Sequence, residues 1–358
     1  MNVKSPRRVL IIRLSAIGDV VFASPLVAAC QRTYPDAEID WLAEGVTRPL
    51  LAGRPEINTV ILWPRQEWVD LWRDKRLIAL AKAVLLFRAQ LRAKKYDLVI
   101  DAQGLLKSAF LAWLSGGVER VGFKSKEPNR LFLTRRLQKS ITNRISSEYL
   151  GLAEDLAWDT RDFDLSLHLL SSDVERAGVI MGTECYLVVA PFTTRPQKHW
   201  TREHWQELIS ALAAQGRKVA CLGGPADREE AQAMLDDLKV ENWVGVHPLG
   251  VSAALIQGAD AVIGVDTGLT HMGIAAGVPT VALFGSTCPY TQTGRDNVRV
   301  IYHALPCSPC KRRPTCGGRF DCMGGIRPVE VLDALREVMP SESNRMESAI
   351  NSEEALDD

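Results

Sequence analysis

The chain has 358 residues, 43 Lys and Arg against 43 Asp and Glu, with 46% hydrophobic and 24% charged residues. That length suffices for two buried cores, and the composition excludes collagen-like, mostly disordered and disulfide-dense small scaffolds. The charge is unevenly spread: residues 1–150 carry 25 Lys/Arg and 14 Asp/Glu, residues 151–358 carry 18 and 29, a split of +11 against −11. Such a split points either to one half that meets an anionic partner or simply to an unevenly solvated surface.

In chain order, Arg8–Arg13 reads as a short β-rich run, Leu14–Asp19 as a loop and Val20–Thr33 as a helix. Strands are expected at Glu38–Leu42, Thr59–Trp63 and Asp97–Asp101, with a long helix over Trp68–Lys95. The pattern then restarts. Strands at Tyr186–Ala190, Lys218–Leu222, Trp243–Val246, Ala261–Val265 and Thr280–Phe284 alternate with helices at Arg202–Ala214, Asp227–Leu238, Val251–Gln257 and Leu269–Ala276. Val329–Val338 is a final helix, and Ser341–Asp358, with six acids and one Arg, reads as a disordered tail. Short apolar strands separated by helices indicate parallel sheets covered on both faces. Two such sets imply an α/β chain of two Rossmann-like domains, joined near residues 165–184 and facing a central cleft. The boundaries expected are 1–170, 171–340 and the tail 341–358.

The apolar run Val9–Ile12 ends at Arg13, too short for a signal-peptide core, and no uncharged apolar stretch approaches the roughly 18–20 residues of a membrane span. With eight cysteines and no export signal, a reducing, cytoplasmic setting is expected.

Four segments could carry chemistry. In Val265–Gly285 a strand ends, Asp266-Thr267-Gly268 turns the chain, and a helix begins. The open N–H groups and dipole of a helix start favour an anion; Thr267 and His271 add donors, and Gly268 lets a phosphate approach the backbone. The plainer reading is that Asp266 or Thr267 only caps the helix. Ala190–Trp200 follows another strand and offers Thr193, Thr194 and Lys198, which suit a diphosphate, with Lys198 as a point charge on a departing group. Arg13–Asp19 (Arg-Leu-Ser-Ala-Ile-Gly-Asp) stands where a dinucleotide fold would show Gly-x-Gly-x-x-Gly, but Gly18 is its one glycine. Asp19 either caps the helix or takes a proton from a hydroxyl. Finally, Cys307-x2-Cys310-x5-Cys316-x5-Cys322 could hold a structural zinc, although its spacing departs from paired Cys-x2-Cys knuckles; free or oxidisable thiols on a surface loop are the preferred reading, and no metal is assigned to the site. Trp63–Lys95 mixes Trp63, Trp68, Trp72 and Phe87 with nine Lys/Arg. It could rest on an anionic membrane surface; packing onto the sheet with a basic outer face is preferred.

Together, Arg8–Asp19, Tyr96–Ser108, Thr193–Trp200 and Asp266–His271 resemble the lipopolysaccharide-core heptosyltransferases, glycosyltransferase family 9, over about residues 8–338 and most closely in the heptosyltransferase I branch. The resemblance implies a GT-B fold and inverting transfer without metal or other cofactor. It also implies ADP-L-glycero-D-manno-heptose (ADP-heptose) as donor and a Kdo-lipid A acceptor. By resemblance Asp19 is the catalytic base, and Thr193, Thr194 and Lys198 contact the diphosphate and sugar. Asp266, Thr267, Gly268 and His271 form the donor-binding turn. An acid near Asp227, in the run Asp227-Arg228-Glu229-Glu230, meets the ribose. Gln103 and Lys107 lie on the acceptor side, and Arg65 and Arg120 are candidates for Kdo carboxylate or lipid A phosphate. The expected partners are thus a nucleotide sugar and an anionic glycolipid, with no nucleic acid, and with peripheral contact to the cytoplasmic face of the inner membrane. Two features depart from the type I pattern: the cysteine cluster, and Pro196-Gln197 where acidic residues are commoner. A heptosyltransferase II-like or other core transferase, a GT-B-shaped sugar-nucleotide epimerase and a zinc-stapled binding protein are the alternatives.

Overall fold

The computed structural model describes residues 5–339; the tail expected at Ser341–Asp358 lies outside them. The chain divides into two compact units, Met1–Ala177 with Leu249–Ala254, and Gly178–Pro248 with Leu255–Asp358.

The first unit is built on six strands, β1 (Arg8–Ile12), β2 (Glu38–Ala43), β3 (Ile57–Leu62), β4 (Leu98–Asp101), β5 (Glu119–Phe123) and β6 (Arg135–Leu137). All pair in parallel in the order β3-β2-β1-β4-β5-β6. Its helices are α1 (Ile17–Ala23), α2 (Pro25–Thr33), α3 (Arg65–Arg73), α4 (Leu77–Ala93), α5 (Leu106–Ser115) and α6 (Ser147–Asp155). Successive side chains of a strand point to opposite faces, so a strand buried on both sides must be apolar throughout. Strand β1 obeys this: Val9 and Ile11 join one core cluster with Trp41, Ile100 and Tyr149, while Leu10 and Ile12 join the other with Leu42, Val99 and Phe87.

After α7 (Ser171–Met181) the second unit repeats the plan with β7 (Tyr186–Ala190), β8 (Lys218–Cys221), β9 (Glu241–Asn242), β10 (Ala261–Val265), β11 (Thr280–Phe284) and β12 (Val298–Tyr302). Their order, β12-β11-β10-β7-β8-β9, is the same doubly wound sequence seen from the other edge, again all parallel. The helices are α8 (Arg202–Ala214), α9 (Arg228–Leu235), α10 (Leu249–Gln257), whose residues Leu249–Ala254 belong to the first unit, α11 (Gly268–Ala275), α12 (Asp321–Gly324) and α13 (Pro328–Val338). Trp205, Leu208 and Leu212 of α8 and Val331 and Leu335 of α13 pack on Leu187, Val189, Ile263 and Leu283. Helix α8 starts at Thr201, whose hydroxyl accepts the His204 N–H at 3.3 Å.

Four expectations need correction. The helix read over Val20–Thr33 begins earlier, at Ile17, and breaks at Ser24, because Pro25 has no N–H to continue α1 and instead opens α2. The helix read over Trp68–Lys95 is two helices, α3 and α4; Lys75 between them adopts φ +56°, which no α-helix continues. The segment Trp243–Val246 is not a strand: β9 precedes it, and Gly245 turns the chain at φ +65°. The helix read over Asp227–Leu238 runs from Arg228 to Leu235.

Candidate active site

In a doubly wound sheet, ligands approach where the strand order reverses, beyond the carboxyl ends of the two central strands. Those strands are β1 and β4 in the first unit, β7 and β10 in the second. The four loops that leave them carry the four motifs expected to bind or react: Arg13–Asp19, Asp101–Lys107, Pro191–Trp200 and Asp266–His271.

At the first reversal the Arg13 side chain is almost buried, and its Nη2 lies 2.5 Å from Asp19 Oδ2. The Ala16 N–H donates to the same oxygen at 3.1 Å. Asp19 therefore does cap α1, but both contacts fall on Oδ2 and its side chain remains 41% exposed. Burial would lower the Arg13 pKa, yet the facing groups Tyr149, Asp19 and Glu148 raise it above its ordinary value. A permanently charged guanidinium thus fixes the carboxylate from beneath. From β4, Asp101 Oδ1 accepts the N–H groups of Gln103 (3.1 Å) and Gly104 (3.0 Å), the latter at φ +72°. Burial pushes the Asp101 carboxyl up to about 6, against the lowering effect of those N–H groups, Ser108 and Arg13. Gln103 Oε1 accepts the Leu14 N–H at 3.1 Å and so ties the two loops together.

Glu44, just past β2, gathers the two cations expected beside the acceptor. Lys107 Nζ lies 3.4 Å and Arg65 Nε 4.0 Å from its Oε1, and Lys107 also sits over the Trp63 ring at 5.7 Å. Glu44 is held in turn by its N–H on Leu14 O. Arg120 is not part of this group. It lies near the amino end of β5, and its guanidinium is taken up by the carbonyls of Phe132 (2.8 Å) and Gly117 (2.6 Å).

At the second reversal Asp266 is the hub. Lys198 Nζ lies 2.6 Å from Oδ2, the Thr287 hydroxyl donates to that oxygen, and His271 Nε2–H donates to Oδ1 at 3.2 Å. The other nitrogen of His271 is hydrogen-bonded to the buried Tyr290 hydroxyl at 2.9 Å. Burial alone would raise the Asp266 pKa, but His271 and the Lys198 ammonium together hold it well below the usual carboxylate range. The Thr193 hydroxyl donates to Asp266 O at 3.5 Å, and His199 Nε2 is bonded to Thr193 O at 2.7 Å.

Thr267 is the N-cap of α11 in extended backbone, and its side chain makes no capping hydrogen bond. The first-turn N–H groups at Gly268, Leu269 and Thr270 lack intrahelical acceptors, as in any α-helix, and no cap replaces them. Thr270 instead turns its hydroxyl back to Val265 O at 2.7 Å. That close approach needs Gly264, where a Cβ would meet Thr270 Oγ1 at 2.2 Å.

Beside this hub an open pocket of about 580 Å³ is lined by Thr193, Thr194, His199, Arg202, Glu230 and Met234 among others, a size suited to a nucleotide-sized ligand. Asp227 Oδ2 accepts the Gly224 N–H at 2.7 Å. Of the acids around it, Glu230 reaches the pocket, 3.6 Å from His199 Nδ1.

The cysteine segment braces the same loop through its backbone. Gln197 donates to Lys311 O at 3.0 Å, and Trp200 to Ile326 O at 2.9 Å. All eight cysteines are free thiols, and among the described residues no group of three or more His, Cys, Asp or Glu is placed to hold a metal.

The sequence pattern of glycosyltransferase family 9 (heptosyltransferase) matches residues 84–319. The chain belongs to this family. It is 32% identical over 295 residues to lipopolysaccharide heptosyltransferase 1 of Escherichia coli O18:K1:H7, a match covering 79% of this chain and 87% of that protein. It is 30% identical over 315 residues to lipopolysaccharide heptosyltransferase 1 of Pseudomonas aeruginosa, covering 86% and 87%. Its backbone is similar to the structure of E. coli heptosyltransferase WaaC with ADP-2-deoxy-2-fluoro heptose, with a TM-score of 0.70, 27% identity and coverage of 92% of this chain and 99% of that one. The two doubly wound sheets are those of a GT-B glycosyltransferase, and glycosyl transfer is the reaction class.

Several residues beside these loops in the two units were not singled out by sequence reasoning. Arg13 lies inside a recognised motif but reads as the end of a strand. Glu44 and Thr287 lie in no motif, although each follows an apolar strand, β2 or β11, that neighbours a central one.

Proposed function

We propose that this family 9 enzyme transfers heptose from ADP-L-glycero-D-manno-heptose to the Kdo residue of an inner-core Kdo-lipid A acceptor, with inversion and without a metal ion, at the cytoplasmic face of the inner membrane. The observation that carries this reading is the Asp266 hub beside an uncapped helix start. Lys198 supplies a fixed positive charge and α11 supplies N–H donors, the two things a departing diphosphate requires. The relatives support the sugar and the acceptor, since they are heptosyltransferases of lipopolysaccharide and WaaC carries an ADP-heptose analogue.

In this mechanism the second unit binds the donor: ADP in the pocket with Glu230 on the ribose, and the diphosphate at Thr193, Thr194, Lys198 and the Thr267–Gly268 turn. Asp266 and His271 hold Lys198 and the turn in place. The basic first unit receives the anionic glycolipid, with Lys107 and Arg65 as its charged contacts. Asp19, through Oδ1, takes the proton of the acceptor hydroxyl as that oxygen attacks the anomeric carbon. The bond from that carbon to the β-phosphate oxygen breaks, and its electron pair leaves with ADP, where Lys198 and the helix start stabilise the charge. The test is ADP release from ADP-heptose with excess EDTA, with and without Kdo-lipid A. Acceptor-dependent release is expected. Release without acceptor, or release abolished by EDTA and restored by a divalent ion, would contradict the reading.

A further inference from the structure

The helix α4 is apolar on two opposite faces, and the sheet covers one of them. Leu80, Ala83, Val84, Phe87 and Leu91, spaced at helical intervals, pack into the first unit's core. On the other side Leu77, Ile78, Leu85 and Leu86 face outward, with Ile78 77% and Leu86 73% exposed. Trp72, at the end of α3, is 67% exposed beside them in sequence, and α3 and α4 are packed together. Further apolar exposure continues over the neighbouring elements, at Trp113 of α5 and Leu131 in the turn that packs on α5. A domain gains nothing from leaving four Leu or Ile side chains of one helix in solvent, and a cluster of that kind marks an interaction surface.

The charge around the patch specifies the partner. Helix α4 holds Lys82, Arg88 and Arg92 and no acid, and the turn before it adds Lys75 and Arg76. The acids nearby belong to α3 and its C-cap: Asp70 and Asp74 are paired with Arg73 at 3.0 and 3.4 Å, and Glu67 lies in the first turn of α3. Arg88 and Arg92 are engaged on the α5 side, over the Trp113 ring at 5.8 Å and on Leu114 O at 3.4 Å, whereas Lys75, Arg76 and Lys82 are exposed; aliphatic side chains beside these free cations match a lipid headgroup boundary of negative charge. At 17 residues α4 is short for a span, and no helix among the described residues is long and apolar enough to cross a membrane. It can lie on a bilayer, not through it.

We infer that the outer face of α4, with Trp72 at its start, is a membrane-docking surface that seats the first unit on a bilayer containing anionic phospholipid. This surface acts independently of the sugar chemistry, so its test does not depend on turnover. The full chain is sedimented with vesicles of phosphatidylcholine alone and of phosphatidylcholine mixed with phosphatidylglycerol, both free of any glycolipid acceptor. The wild type should sediment with the anionic vesicles, less so at high salt, and not with the neutral ones. Ile78→Glu with Leu86→Glu should weaken that binding at least about tenfold, because acidic groups replace two aliphatic anchors. Both positions are exposed, so the unfolding midpoint should not change; Ile78→Ser with Leu86→Ser repeats the test without added charge. Wild-type protein that ignores anionic vesicles, or a double variant that sediments like the wild type, overturns the proposal. So does a wild-type dimer that the double variant dissociates while vesicle binding is absent, which would assign the face to a second copy of the chain.

Discussion

The two strand-order reversals of this molecule each present a carboxylate just beyond a central strand, and the two are treated in opposite ways. Asp19 is 41% exposed and held through one oxygen, by Arg13 and one backbone N–H. Asp266 is 12% exposed and engaged through both oxygens, by Lys198, Thr287 and His271. The same topology thus yields a carboxylate oriented but open to a proton, and another locked into an ionic scaffold. A group that must accept a proton cannot have all its lone pairs occupied; a group that must position a lysine should have them filled. The fold delivers both to the same place in each sheet, and the neighbouring side chains decide the role.

The largest expected effect breaks the first member of this pair. Asp19→Ala should lower kcat by about 10²–10⁴-fold, the scale of general-base catalysis. Near-normal turnover in that variant would remove Asp19 from the role. Lys198→Ala comes next: kcat/KM for donor should fall by about 10²–10³-fold, the cost of removing one preorganised charge from a leaving group, and an unchanged value would count against it.

Asp266→Asn sharpens the comparison through stability. It leaves a mostly buried ammonium without its counter-charge, so a loss on the order of 3 kcal/mol is expected in denaturant unfolding. Because the folded-state pKa of Asp266 is depressed, its contribution is fully present above the ordinary carboxylate value, and it is lost as pH falls below about 4. Asp101 has the opposite sign. Its folded-state pKa is raised to about 6, so the native state favours the protonated form, and stability from this group falls as pH rises from about 4 through about 6. Asp101→Asn should flatten that part of the stability–pH curve; a curve unchanged by the substitution would contradict the assignment. The smallest effect is expected at the pocket rim. Glu230→Gln should raise KM for the donor by about tenfold with kcat nearly kept, the loss of a charge-assisted hydrogen bond, whereas Asp227→Gln should not produce that split.

The central strands were legible because burial on both faces demands continuous apolar runs: Val-Leu-Ile-Ile of β1, Leu-Val-Ile of β4, Tyr-Leu-Val-Val-Ala of β7 and Ala-Val-Ile-Gly-Val of β10 all read correctly. Nearer the edges β2, β3, β8 and β11 were also read, but three strands were not. β5, β6 and β12 carry Glu or Arg within three to five residues, since one side of each meets water or a short neighbour, and too little apolar pattern remains to mark them. The break between α3 and α4 has no Pro or Gly to announce it, only Lys75 in a left-handed conformation. At the site, the loops could be placed from sequence, because each directly follows an apolar strand. The pairing of Lys198 with Asp266, 68 positions apart, follows only from β7 and β10 being neighbours in the sheet. For the same reason Glu44 and Thr287 stayed invisible: each is an isolated polar residue that becomes part of the site through strand order alone.

The division of labour between the two carboxylates is tested most directly by calorimetric titration of ADP into wild type, Asp19→Ala and Lys198→Ala. Asp19→Ala should bind ADP within about twofold of wild type, since proton removal plays no part in holding the nucleotide, and Lys198→Ala should bind it at least about tenfold more weakly, the loss of one charge-assisted contact. Equal loss of ADP affinity in both variants, or none in Lys198→Ala, would contradict the account.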